Sequence, residues 1–388
     1  MKGSRLARWL LAAAAVWFVL GGGQVWAAET PSSGEWLQQR AEEWLEETAR
    51  ERLPETPSSA QETLDELGVE ELGLGGLLAL SPGDFARVVW EQVQRQLSQP
   101  VRVLGRLLGM MLLCALLQGM ETTFLRQGLG QVFSVVCVLA AASFLVQPVA
   151  ECILDTTQAL REGSVFLLSF TPLLGGVVAA GGHPVLAGGY NLLLVGACQV
   201  VSQLAADTLM PLLGIYLGLC LVASAAPQLG LEGLAKGIRK AVCWGLGLAT
   251  TVFVGLLSLQ SVISTGADSL SLRASRFLVG SFVPVIGGAL SDAAAAAQGC
   301  LGMLRGAVGS FGILVAAATV LPALVKTAVW YLIAAAGQQL AAVLGAREVG
   351  KALGGAASAL AVTLSVMLCF ALLVIVSTTV VLMLTAGS

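Results

Sequence analysis

From Pro100 to its last residues the chain is written in apolar runs of about 20 residues separated by short polar breaks, the length that a bilayer core demands. The runs predict membrane-spanning helices near residues 101–120, 129–150, 164–182, 186–206, 209–229, 241–265, 277–297, 306–322, 323–344 and 359–386. Pro284 and Asp292 interrupt the seventh run, and the two runs flanking Pro322 read equally as one bent helix, so the pattern predicts 8 to 10 spans in an all-α polytopic membrane protein. Ahead of Pro100 the pattern changes. Leu37, Ala41, Trp44, Leu45 and Thr48 share one helical stripe in a charged segment, which predicts a modest amphipathic helix. A Pro/Ser-rich linker and an acidic helical stretch follow, ending near Gly73, Gly75 and Gly76. Ser81-Pro82-Gly83-Asp84 then carries a helix-start signature, with Ser81 as N-cap, Pro82 at the first helical position and Asp84 at the capping-box position. That helix is expected to run to about Gln99 and lead into the membrane.

The first 27 residues have the order of a secretory signal: Lys2, Arg5 and Arg8, an apolar core from Trp9 to Leu20, then Val25-Trp26-Ala27 as the expected cleavage site. Cleaved or retained as an anchor, this segment places residues 28–100 outside the cytoplasm.

One phrase is written twice. Ser169-Phe-Thr-Pro-Leu-Leu-Gly-Gly176 returns as Ser281-Phe-Val-Pro-Val-Ile-Gly-Gly288, and aligning Pro172 with Pro284 also pairs Pro211 with Pro322 at nearly the same spacing. Two landmarks on one period predict a duplicated unit of about 110 residues: repeat 1 at 129–240 and repeat 2 at 241–351, between a leading transmembrane helix at 101–128 and a C-terminal one at 352–388. Four crossings per unit give parallel copies. Lys236, Arg239 and Lys240 then share the cytoplasmic side with Arg347 and Lys351, as the positive-inside rule asks. Arg273 and Arg276 fall on the other side in that count, so 266–276 is expected along the interface, with the second phrase as a re-entrant or broken helix. A proline inside a helix frees a carbonyl that protein or water must satisfy, and the Gly-Gly behind it permits close backbone approach. Pro172, Gly175, Gly176, Pro284, Gly287 and Gly288 are therefore candidate structural or pathway residues, read either as packing kinks or as broken helices lining a path.

Composition agrees with the pattern: 56% of the 388 residues are hydrophobic and 12% charged, with a mean hydropathy of +0.83. The formal net charge of -3 hides a split, because residues 28–100 hold 15 acids and 5 bases while residues 101–388 hold 9 acids and 13 bases. Neither part offers the basic, aromatic-studded surface that nucleic acid requires. Eight cysteines, at 114, 137, 152, 198, 220, 243, 300 and 369, lie in or beside apolar runs without a CxxC, which predicts small core residues rather than a disulfide framework. His183 is the one histidine, so a zinc site lacks its usual ligands, and no cofactor is implied. Charges at membrane depth mark candidate ion or proton sites: Asp292, Arg305 and Lys326 deepest, with Asp207, Glu151 and Asp155 able to sit at interfaces. No Walker A, HExxH or GxSxG motif is present, so nucleotide energy must come from another protein and catalysis has little support.

The leading helix RLLGMMLLCALLQGMETTF, the phrase SFTPLLGGVVAAGG, and above all Arg273-Ala-Ser-Arg-Phe-Leu-Val-Gly-Ser-Phe-Val-Pro-Val-Ile-Gly-Gly288 followed by Leu290-Ser-Asp292 resemble the stage III sporulation protein AE family of endospore-forming bacteria. The resemblance spans nearly the whole chain. It implies a multi-pass protein of the mother-cell membrane around the forespore. There it would belong to a channel or feeding apparatus built with sister stage III proteins, including a separate cytoplasmic ATPase and ring proteins of the intermembrane space. The residues leave two other readings open: an autonomous small-molecule or ion transporter built on the duplication, and, far behind, an intramembrane enzyme using His183.

Overall fold

The structure is a computed structural model, and it describes residues 56–66, 82–124, 129–180, 188, 196–197, 199–282 and 287–386. The expected signal peptide, the amphipathic stripe at Leu37–Thr48, Ser81, His183 and Pro284 lie outside these residues. All regular structure among the described residues is helical. In chain order the helices are α1 (Ser58–Glu66), α2 (Pro82–Phe124), α3 (Leu129–Ala180), α4 (Met210–Ala225), α5 (Glu232–Phe282), α6 (Gly287–Val343) and α7 (Arg347–Ala386). A π-helical turn, Leu204–Leu209, leads into α4, and a short 3-10 turn, Pro227–Leu229, links α4 to α5.

Six stretches among the described residues are long and apolar enough to cross a membrane: Ala86–Leu116, Val135–Ala179, Gln199–Ala225, Glu232–Leu256, Val308–Val343 and Arg347–Val376. The difference from the sequence count has a physical reason. Hydropathy drops between residues 150 and 164, between two expected spans, yet α3 continues through this stretch because it contains no proline and its charges keep a helical spacing. The two runs around Pro322 are likewise one helix, α6, and the run at 277–297 straddles the end of α5 and the start of α6. With 52 residues in α3 and 57 in α6, these helices extend about 78 and 86 Å by their rise, more than twice a bilayer core.

α2 begins at Pro82, the position where a missing amide costs nothing, and continues through Pro100 into the span instead of ending near Gln99. In α3, Pro172 leaves the Leu168 carbonyl without its helical donor; one residue away the Thr171 hydroxyl donates to the Leu167 carbonyl at 2.5 Å. α6 ends in a Schellman turn. Gly345 has φ 77, the left-handed region open to glycine, and the amides of Ala346 and Gly345 donate back to the carbonyls of Ala341 (3.0 Å) and Ala342 (3.4 Å). The chain reverses there into α7.

α3, α5 and α7 run one way and α2, α4 and α6 the other. α6 and α7 form the central hairpin, with Ala341 beside Gly350 and Gln338 beside Gly354. α2 lies parallel to α6, packing Val89 and Val93 on Leu321, Val325 and Val329, with Leu104 near Gly337. α3 lies antiparallel to α6 and parallel to α7, since Phe170 meets Gly312 while Thr156 and Gly163 meet Met367 and Phe370. α5 follows α7 from Arg239 beside Ser358 to Thr250 beside Cys369. The main core fills the seams with Phe166, Phe170, Leu174, Leu213, Leu360 and Phe370. Small residues permit this closeness, as expected where lipid offers no hydrophobic drive between helices.

One expectation is corrected. Cys114 of α2 and Cys137 of α3 are joined as a disulfide, with Cα atoms 6.7 Å apart, rather than lying as separate core thiols. The pairing follows from the α2–α3 hairpin, which brings two positions 23 residues apart onto facing helices.

Candidate functional site

The middle of α3 carries Glu151, Asp155, Gln158 and Glu162 at spacings of four, three and four, so an unbroken helix sets all four along one stripe. That stripe faces α6. Lys326 donates to an Asp155 carboxylate oxygen at 2.7 Å and stands 3.6 Å from Glu151, its side chain 29% exposed against 42% for each acid. One ammonium between two carboxylates leaves the trio with one net negative charge. Gln147 and Gln158 donate to Glu151 and Glu162 at 3.1 and 2.8 Å, extending the polar strip along α3. From α1, the Ser59 hydroxyl donates to the other Glu162 oxygen at 2.5 Å, while Ala60 and Leu64 are buried in the main core. A cavity of about 250 Å³ opens among these groups, lined by Ser59, Gln96, Asp155, Glu162, Pro322 and Lys326. A second pair flanks the strip: Arg161 of α3 donates to Asp207 of the π-helical turn at 2.7 Å. π turns often mark functional positions.

The sequence singled out Lys326, Glu151, Asp155 and Asp207 one by one, and the structure joins the first three and gives the fourth Arg161 as partner. Glu162, Ser59 and Arg161 were missed. The signal for Glu162 is the four-and-seven spacing along α3, visible once 151–163 is read as helix rather than as a link between spans; Arg161 is its neighbour on that helix, and nothing in the sequence pointed to Ser59 on α1. The repeated phrase is not assembled into a site by the described residues. Pro172 and Gly176 are exposed on α3, Gly175 is buried, and a side chain at Gly176 would meet nothing within 4 Å. Phe170 of the first phrase stacks on Phe166 and packs on Phe311 of α6, with ring centroids 5.3 and 6.5 Å away. Gly287, Gly288 and Asp292 stand in the first two turns of α6, about 30 to 38 Å before Gly312 by helical rise, and Arg273 and Arg276 stand on the last three turns of α5. Among the described residues no group of three His, Cys, Asp or Glu could hold a metal ion.

Long apolar helices cross-linked by paired charges define an all-helical, multi-pass membrane protein. Residues 69–385 match the family model described as Stage III sporulation protein AE, and the chain belongs to that family, with a role in sporulation. The chain is also 24% identical over 245 residues to the stage III sporulation protein AE of Bacillus subtilis (strain 168), a match covering 62% of this chain and 60% of that relative. The matched part is thus less than two thirds of the relative's length. No solved structure matches.

Proposed function

We propose that the chain is the integral membrane subunit of a channel or secretion-like complex that links mother cell and forespore and is needed for forespore development after engulfment. The family match over residues 69–385 carries this reading, because it takes in all six apolar stretches. The sequence holds no nucleotide-binding motif, so energy is supplied by a separate cytoplasmic ATPase, with ring proteins of the intermembrane space as the further partners and residues 28–100 turned toward that space. Deleting the gene in its own host should arrest spores after engulfment, and affinity purification of the tagged full-length chain from sporulating cells should bring a stage III ATPase with it. Normal spores from the deletion strain would refute the proposal.

The charge cluster favours a second reading, an autonomous ion or small-molecule transporter, since a half-buried Lys-Asp-Glu trio beside a cavity is the usual dress of a proton or ion path. Purified protein in liposomes would then move a solute by itself, and Lys326→Met or Asp155→Asn would abolish movement without loss of insertion. Liposomes as tight as protein-free ones would discard this reading.

A further inference from the structure

At the end of the bundle where α5 and α7 begin, a cavity of about 670 Å³ lies between α4, α5, α6 and α7. Lys236 and Arg239 reach it from the second turn of α5, Lys351 from the second turn of α7, and Gln338 and Tyr331 from α6. Glycines shape its floor: a Cβ at Gly354 would come within 2.9 Å of the Gln338 amide, and one at Gly355 within 2.6 Å of the Cys220 side chain.

Three cations share this cavity with one lining carboxylate. Glu232 stands 3.8 Å from both Lys236 and Lys351, and Lys351 is also held by Glu348 at 3.2 Å, which does not line the cavity. Arg239 has no carboxylate within ion-pair distance among the described residues; its guanidinium donates only to the Ser358 hydroxyl, at 3.4 Å. An arginine fork whose single protein partner is a neutral hydroxyl keeps donors for an anion, in the planar geometry that suits phosphate oxygens. The first turns of α5 and α7 add the partial positive charge of two helix N-termini.

Depth narrows the ligand. Past Lys240 the surface of α5 turns apolar, with Trp244 69% exposed and Leu248 and Val252 exposed beyond it. An exposed tryptophan one turn from a basic cluster is the pattern of a membrane–water boundary, where a basic pocket between helices meets lipid headgroups. We propose that this cavity binds a phosphate group, carried by an anionic phospholipid headgroup or by a soluble phosphomonoester reaching the same depth, through Lys236, Arg239 and Lys351.

The test uses the full-length chain in mild detergent. Native mass spectrometry reads retention of phosphatidylglycerol against phosphatidylcholine, and titration with glycerol 3-phosphate against chloride reads the soluble source. The wild-type chain should retain phosphatidylglycerol or bind glycerol 3-phosphate, and whichever probe binds names the source. The pair Arg239→Gln and Lys351→Gln should weaken that binding about tenfold or more, as expected for loss of charge-assisted hydrogen bonds. Arg102→Gln, on the exposed face of α2, should leave it unchanged. Glu232→Gln, which removes the competing carboxylate, should tighten it. Binding of neither probe by the wild type, or equal binding by the double variant, overturns the proposal. Should the double variant fail to fold, Glu232→Gln decides alone: tighter binding supports the site, and unchanged or weaker binding overturns it.

Discussion

Gly312 is fixed by its neighbour. It is buried in α6 against Phe170, and a Cβ built there would run into the phenyl ring. The ring cannot swing aside cheaply, because it is buried, stacked on Phe166 and packed on Phe311. Gly312→Val should therefore destabilise the detergent-solubilised protein by about 1–3 kcal/mol, the usual cost of overpacking. Thermal unfolding of the variant alone and combined with Phe170→Leu provides the check. If the α3–α6 seam is as described, the two substitutions are non-additive and the second recovers part of the loss; strict additivity would mean that the ring and the glycine do not meet. The partner of Gly312 on α3 was not legible in the sequence, since nothing local says which helix a glycine admits.

At the scale of elements, long apolar runs announced helices correctly, and their ends were less legible. The spans expected at 129–150 and 164–182 are one helix because Glu151, Asp155, Gln158 and Glu162 lie on a single face that α6 and α1 cover. A hydropathy window averages that face with its apolar opposite and reports a gap. The site was hidden for the same reason: four polar residues on one stripe look like a loop until the helix is drawn through them. Lys326 was visible as an anomaly, a cation in an apolar run, while its carboxylates come from 171 and 175 residues earlier in the chain. The Cys114–Cys137 bond was illegible for a related cause, because it depends on the register between α2 and α3 and on no spacing motif. The two prolines paired by the expected duplication both stand within helical stretches, Pro211 just after the π-helical turn in Gln199–Ala225 and Pro322 inside α6.

For the molecule as a whole, the two basic segments inferred to share a side are in contact. Lys351 of α7 lies 3.8 Å from Glu232 of α5, one turn from Lys236, so Lys236, Lys240 and Lys351 gather at one end of the bundle. Cysteines placed at 240 and 351, in a chain freed of its native thiols, should react with a membrane-impermeant thiol reagent from the same side of sealed vesicles. Labelling from opposite sides would contradict the bundle's up-and-down order and, with it, the expectation of two parallel units.

The widened turn at 204–209 has a consequence for how its helix meets α3. The Ser202 hydroxyl donates to the Leu160 carbonyl at 3.0 Å, and Asp207 holds the very next residue, Arg161. In an unbroken α-helix, positions five apart point about 140° away from each other, so one would look toward α3 while the other looked into lipid. A turn closed over five residues brings them back nearly into phase. The extra residue acts as a half-step in a screw thread, and it lets two successive positions of α3 be gripped from a single side.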